Sequence, residues 1–207
     1  MKKLVLLLYI AVLLGASYAA FAQDISSNTL ENYKSRNPLY DFTELNLNNT
    51  DTIPDFDAKV EKLKISGTIY KSDGKTPAKD VILYIFQADE NGNYNMKRDD
   101  KRKRFVYHRA WVKTDENGKY TFYTFMPGKM LRTKELKQIH RIVKEPGKEP
   151  YELMPFFFND DPLIPELTLA CRANAVNSML RIEKQDGILV ATKDIKLGKT
   201  AATISIP

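Results

Sequence analysis

Apolar and polar positions alternate with a period of two in the middle of this chain. Leu63-Lys64-Ile65-Ser66-Gly67-Thr68-Ile69-Tyr70 is the clearest run, and this period predicts a half-buried β-strand. Residues 81–86 are continuously apolar, which predicts a strand covered on both faces. Further strands are predicted over 105–113, 119–125, 139–143 and 156–158. Residues 179–184 and 188–197 predict a last hairpin around Gln185-Asp186-Gly187, and 203–206 an added edge strand. Turn chemistry separates these runs at Ser72-Asp73-Gly74-Lys75, Asp89-Glu90-Asn91-Gly92 and Asp115-Glu116-Asn117-Gly118, with Asn-Gly supplying positive φ in the last two. Pro162 and Pro165 interrupt 160–177, which predicts a loop with a helical turn. No long amphipathic helix and no fixed-period repeat is visible. The expected fold is all-β, an antiparallel β-sandwich of about 8–9 short strands.

The chain starts differently. Met1-Lys2-Lys3 is positive, 4–14 is apolar, and Ala20-Phe21-Ala22 precedes Gln23. That is the pattern of a secretory signal peptide, and the apolar run falls short of the roughly 20 residues a membrane span requires. The expected division is 1–22 signal peptide, 23–58 polar N-terminal arm and 59–207 β-domain. The protein is expected to be exported, periplasmic or secreted, and not transmembrane after cleavage. Loss of Lys2 and Lys3 would lower the net charge from +6 to +4. The basic run at Lys97-Arg98 and 101–104 is expected to be a solvated loop, with no nucleic-acid partner. A single cysteine, Cys171, excludes an internal disulfide and is expected to pack as a small apolar residue. Only two histidines, His108 and His140, are available for metal or acid–base chemistry.

A series of short motifs gives the β-domain a closer resemblance. In order they are Ile65-Ser66-Gly67-Thr68-Ile69, Asp73-Gly74-Lys75-Thr76-Pro77, Phe86-Gln87-Ala88-Asp89 with Gly92 and Tyr94, Arg109-Ala110-Trp111-Val112-Lys113-Thr114-Asp115, Tyr120-Thr121-Phe122, and Phe125-Met126-Pro127-Gly128. Lys144-Glu145-Pro146, Phe158-Asn159-Asp160-Asp161-Pro162-Leu163 and Asp194-Ile195-Lys196-Leu197-Gly198 follow. This order resembles the catalytic domain of the intradiol ring-cleavage dioxygenases, the protocatechuate and catechol enzymes, and in particular short exported bacterial members. The resemblance implies a β-sandwich holding one non-haem Fe(III) between two tyrosinates and two histidines. Anionic oxygen donors suit a hard trivalent ion. In that family a catechol displaces one Tyr, chelates the iron and is cleaved by O₂ between its hydroxyls.

Carried onto this chain, the resemblance matches Tyr94 to the first Tyr ligand and His140 to the second His. Met130 stands at the second Tyr position and Gln138 at the first His position, in the triplet Gln138-Ile139-His140. A spacing of two puts Gln138 and His140 on one strand face. A thioether is a soft, neutral ligand and an amide oxygen a weak one, so the implied Fe(III) site is degraded. The family's Arg before the His pair has only Arg132 nearby. Tyr107 and His108 are adjacent, so at most one could face a metal. Tyr107 is expected to be a core or cross-strand aromatic, His108 a surface or hydrogen-bonded residue, and Tyr120 a packing residue.

The expected function is that of an intradiol dioxygenase-like protein, acting on catechol-type aromatics or descended from enzymes that do. It leans towards an inactive form that keeps the sandwich and binds a small aromatic ligand, a carbohydrate or a protein partner. No residue is assigned a catalytic role, and no oligomeric state is specified. The alternative is a non-catalytic binding or adhesion module of the transthyretin or carboxypeptidase-regulatory type. Gly67, Gly74, Asp115, Gly118, Tyr120 and Phe122 also suit such a module.

Overall fold

The computed structural model describes residues 33–42, 47–129, 135–166 and 175–198. The segment expected to be a signal peptide, Met130, Arg132, Cys171 and the strand expected at 203–206 lie outside the described residues.

Strands dominate the described residues. In chain order they are β1 (Thr50–Thr52), β2 (Lys62–Tyr70), β3 (Ile82–Gln87), β4 (Met96–Arg98), β5 (Arg104–Val106), β6 (Arg109–Lys113) and β7 (Lys119–Phe125). Then come β8 (Gln138–Lys144), β9 (Tyr151–Phe158), β10 (Met179–Leu180), β11 (Glu183–Gln185), β12 (Ile188–Thr192) and β13 (Ile195–Lys196). One main sheet runs β1-β7-β2-β12-β11, with β13 also on β2; the other runs β10-β9-β8-β3-β6; β4 and β5 form a separate ribbon. The period of two explains the packing. Leu63, Ile65, Tyr120 and Phe122 meet Leu83, Ile85, Ile139, Val143, Phe156 and Phe158 in one buried core. No helix among the described residues is long and apolar enough to cross a membrane.

The all-β class holds, but the purely antiparallel expectation does not. β1 pairs with β7, β12 and β13 with β2, and β10 with β9, all in parallel. Parallel neighbours need a long return connection, and the segments around β1 and after β9 supply it. The strand expected over 105–113 breaks at Tyr107-His108 into β5 and β6, which belong to different sheets. The expected last hairpin shrinks to β11 and β12, turning at Asp186 and Gly187, which have φ of 49° and 86°.

The polar N-terminal arm, where it is described at 33–42 and 47–58, packs on the domain. It adds β1 to the edge of a sheet, and it lays Pro38–Tyr40 on the outer face of the other. Leu39 is buried there with Tyr84 and Ile142, while the Trp111 indole N–H donates to the Leu39 carbonyl at 3.1 Å. Asp41 accepts from Lys103 and Arg36, each at 2.8 Å, so the buried Lys103 is neutralised. This strap, together with Leu163, Ile164 and Ala175, covers parts of one sheet face, and the candidate site lies on that same face.

Candidate functional site

β8 turns Ile139 and Val143 inward, so Gln138 and His140 face outward. His140 sits directly across from Phe86 on β3, and its ring stacks on that phenyl at 4.5 Å and 8°. Tyr94 arrives from the loop after β3. Asp89 builds that loop: its carboxylate accepts from the amides of Asn91 at 2.9 Å and Asn93 at 2.8 Å, and Gly92 takes a φ of 82°. The outcome is a hydroxyl-to-imidazole hydrogen bond, Tyr94 Oη to His140 Nε2, of 2.6 Å.

Ala88, Gly92, Tyr94, Gly128, Glu135, Leu136 and Gln138 line the adjoining cleft, which encloses about 10 Å³. That is room for about one water-sized group. The 135–137 wall is held by Asp161, whose carboxylate accepts from the Lys137 amide at 2.7 Å and the Leu163 amide at 2.9 Å.

Behind His140, a bulge in the β8–β9 pairing falls at Met154-Pro155. Proline lacks the ladder donor, and the irregularity accommodates it. The freed Met154 carbonyl accepts from the buried Arg141 guanidinium, at 2.8 Å through Nε. Arg141 Nη2 also donates to Ser178 Oγ at 2.9 Å, and the guanidinium lies 3.9 Å from the Phe156 ring centre. Arg141 thus ties the strand that carries His140 to β9 and to Ser178 just before β10.

Burial pushes the Tyr94 phenol up to about 12, and the Glu135 charge pushes in the same direction. Burial pulls the His140 imidazole down to about 4. Both groups are therefore uncharged at neutral pH. The phenol donates and Nε2 accepts, which leaves the imidazole proton on Nδ1. A histidine whose pKa falls on folding takes up its proton more readily in the unfolded chain. Stability is thus fully present above about pH 6.5 and is lost as pH falls towards about 4, at up to about 1.4 kcal/mol per pH unit for this one group. His140→Gln should flatten that window in urea titrations run from pH 7 to pH 4; an unchanged slope would contradict the neutral pair.

The structure therefore brings Tyr94, His140 and Gln138 together around one cleft. Glu135 was not anticipated; its only sequence signal is a position three residues before Gln138, on the approach to β8. Phe86, legible in an apolar run and in the Phe86-Gln87-Ala88-Asp89 motif but with no role assigned, proves to be the platform under His140. His108 corrects its expectation. It is buried at 2 % exposure, and neither ring nitrogen is hydrogen-bonded. Asp55 Oδ2 lies 3.6 Å from its Nε2, too far for a hydrogen bond. The cause is the break between β5 and β6, which tucks the ring against Phe125 at 4.9 Å. Burial and then Lys59 lower its pKa, against the pull of Asp55. Tyr107 is half-buried and donates to Asp55 at 3.2 Å. Tyr120 packs in the core, its hydroxyl donating to the Lys193 carbonyl at 2.6 Å.

Solved structures with this architecture include the dioxygenase domain of a dioxygenase–carbohydrate-binding protein fusion from the cellulolytic bacterium Streptomyces sp. SirexAA-E. It is 18 % identical, with a TM-score of 0.58 over 75 % of this chain and 92 % of that one. An intradiol ring-cleavage dioxygenase from Tetranychus urticae is 19 % identical, with a TM-score of 0.57 over 75 % of this chain and 88 % of that one. The 3-chlorocatechol 1,2-dioxygenase from Rhodococcus opacus 1CP is 20 % identical, with a TM-score of 0.55 over 73 % of this chain and 64 % of that one. No protein-family model and no curated protein matches the sequence at a significant level. The chain has the fold of the intradiol ring-cleavage dioxygenases, as its motif order implied. Within that fold its cleft presents one phenol, one amide and one carboxylate, with the His140 imidazole hydrogen-bonded behind the phenol.

Proposed function

We propose that this protein is an exported, non-cleaving relative of the intradiol dioxygenases, which binds a small phenolic ligand by its hydroxyl edge. The observation that carries this reading is the neutral Gln138 amide lining the cleft beside the 2.6 Å hydrogen bond between Tyr94 and His140. Fe(III) of the intradiol type calls for anionic phenolate donors. Here burial and Glu135 both oppose ionisation of Tyr94, and Gln138 offers only a neutral amide. With one phenol, one imidazole and one amide, the described donors fall short of the two tyrosinates and two histidines that Fe(III) of this type calls for.

The chain's own groups suit recognition instead. The Glu135 carboxylate accepts a ligand hydroxyl, and the Gln138 amide can donate or accept beside it. A cleft of about 10 Å³ admits a hydroxyl group and leaves the aromatic ring at its mouth. The carboxylate also favours neutral phenols over aromatic acids. The test is to purify the exported form, add iron, and record metal content, the tyrosinate-to-iron visible band and catechol cleavage. Colourless protein without cleavage, but with a thermal shift from catechol larger than from protocatechuate, is the expected result. A coloured protein that cleaves catechol would overturn the proposal.

A further inference from the structure

The β4–β5 ribbon stands apart from both main sheets, immediately after the Tyr94 loop. Residues 97–104 carry six cations against two carboxylates. Lys103 alone among the six is buried, and Asp41 neutralises it. Lys97, Arg98, Lys101, Arg102 and Arg104 are all exposed. Of the two acids, Asp99 is consumed locally: it accepts from the Tyr33 hydroxyl and, at 2.8 Å, from the Lys103 amide. The turn is firmly built, with the Arg102 amide donating to the Asp99 carbonyl at 2.8 Å and the Asp99 amide to the Lys103 carbonyl at 3.1 Å.

The register makes this more than a charge count. Arg98 pairs directly with Arg104, and Met96 with Val106. Cross-strand partners project to the same side, so these four side chains share one face of the ribbon. Lys97 and Phe105 take the other face, where Lys97 lies 3.0 Å from the Tyr107 ring centre and Phe105 lies 3.8 Å from the Arg109 guanidinium. The outward face therefore sets two like charges directly opposite each other, which is unfavourable without an anion between them. Beside them is Met96, 42 % exposed. Cations beside an exposed methionine suit the surface of an anionic bilayer, where headgroups meet the arginines and the acyl boundary meets Met96. A soluble polyanion would use the arginines and leave Met96 idle.

We propose that the outward face of the β4–β5 ribbon docks this protein onto an anionic phospholipid surface. The full chain should sediment with phosphatidylcholine–phosphatidylglycerol vesicles and not with pure phosphatidylcholine, and added salt should weaken this binding. Each cation near such a surface strengthens association roughly fivefold, so R98Q/R104Q should weaken binding roughly 25-fold. Met96→Ser should weaken vesicle binding while leaving retention on heparin unchanged. Both variants alter exposed side chains and should keep the parent melting temperature, which separates lost docking from lost folding. Three outcomes would overturn the proposal: equal binding to both vesicle types, no effect of R98Q/R104Q on vesicle binding, or retention on heparin without vesicle binding. The last would point to a soluble polyanion instead. None of these results depends on what occupies the Tyr94 cleft.

Discussion

Gly128→Ala is expected to destabilise the protein by about 3 kcal/mol and to separate Tyr94 from His140. A Cβ at Gly128 would come within 2.2 Å of the Glu90 carbonyl oxygen, 2.5 Å of its carbon and 2.5 Å of the Gly92 nitrogen. All three are backbone atoms of the turn that delivers Tyr94, so no side chain can swing aside to relieve the overlap. The turn is also tied to this glycine, whose amide donates to the Asp89 carbonyl at 2.8 Å. Relief requires residues 89–92 to move as a unit, and Tyr94 moves with them. Urea unfolding would measure the loss, and the Tyr94 hydroxyl should titrate lower once it is more exposed. Gly147→Ala is the control. Nothing lies within 4 Å of its Cβ position, and its φ of 71° costs only about 1–2 kcal/mol. Equal losses at the two sites would mean that the close approach at Gly128 is unimportant.

Gln138→His is expected to turn the cleft into a metal site. Residues 138 and 140 share the outward face of β8, so the new imidazole would stand beside His140, whose Nε2 is 2.6 Å from the Tyr94 oxygen. Two donor atoms about 2 Å from one ion stand about 3 Å apart, so Tyr94 and His140 would need to part by only a few tenths of an ångström, with loss of their hydrogen bond and of the phenol proton. Imidazole replaces a neutral amide, and it suits zinc, iron and cobalt alike. Cobalt(II) titration by calorimetry should show binding roughly 100-fold tighter than in the parent. Adding Tyr94→Phe should reverse most of that gain. A Gln138→His variant no tighter than the parent would remove Gln138 from the ligand position that the motif resemblance assigns to it. The docking ribbon would be untouched by either result.

Much of this protein was legible in the order of its residues. Alternation over 63–70 and the continuous run at 81–86 specify strands, because a side chain's face is decided by its parity along the strand. The acidic-Asn-Gly turns mark where the chain reverses, with Gly92 and Gly118 at φ of 82° and 68°, but the hairpin expected at 115–118 does not form: β6 and β7 lie in different sheets, and β3 pairs with β6 and β8 rather than with β4. The Gln138-Ile139-His140 spacing puts two side chains on one face before any partner is known. Tertiary structure decided the rest. Strand direction was hidden, since alternation looks the same in parallel and antiparallel pairs, and β12 and β13 joined β2 in parallel. Glu135 carries no periodic signal, and only the fold of the approach to β8 brings it to Tyr94. The protonation of the pair was equally invisible. Tyr94 and His140 lie 46 positions apart, and their pKa values are set by burial, which exists only once the sheet, the loop and the Gly128 contact have closed around them.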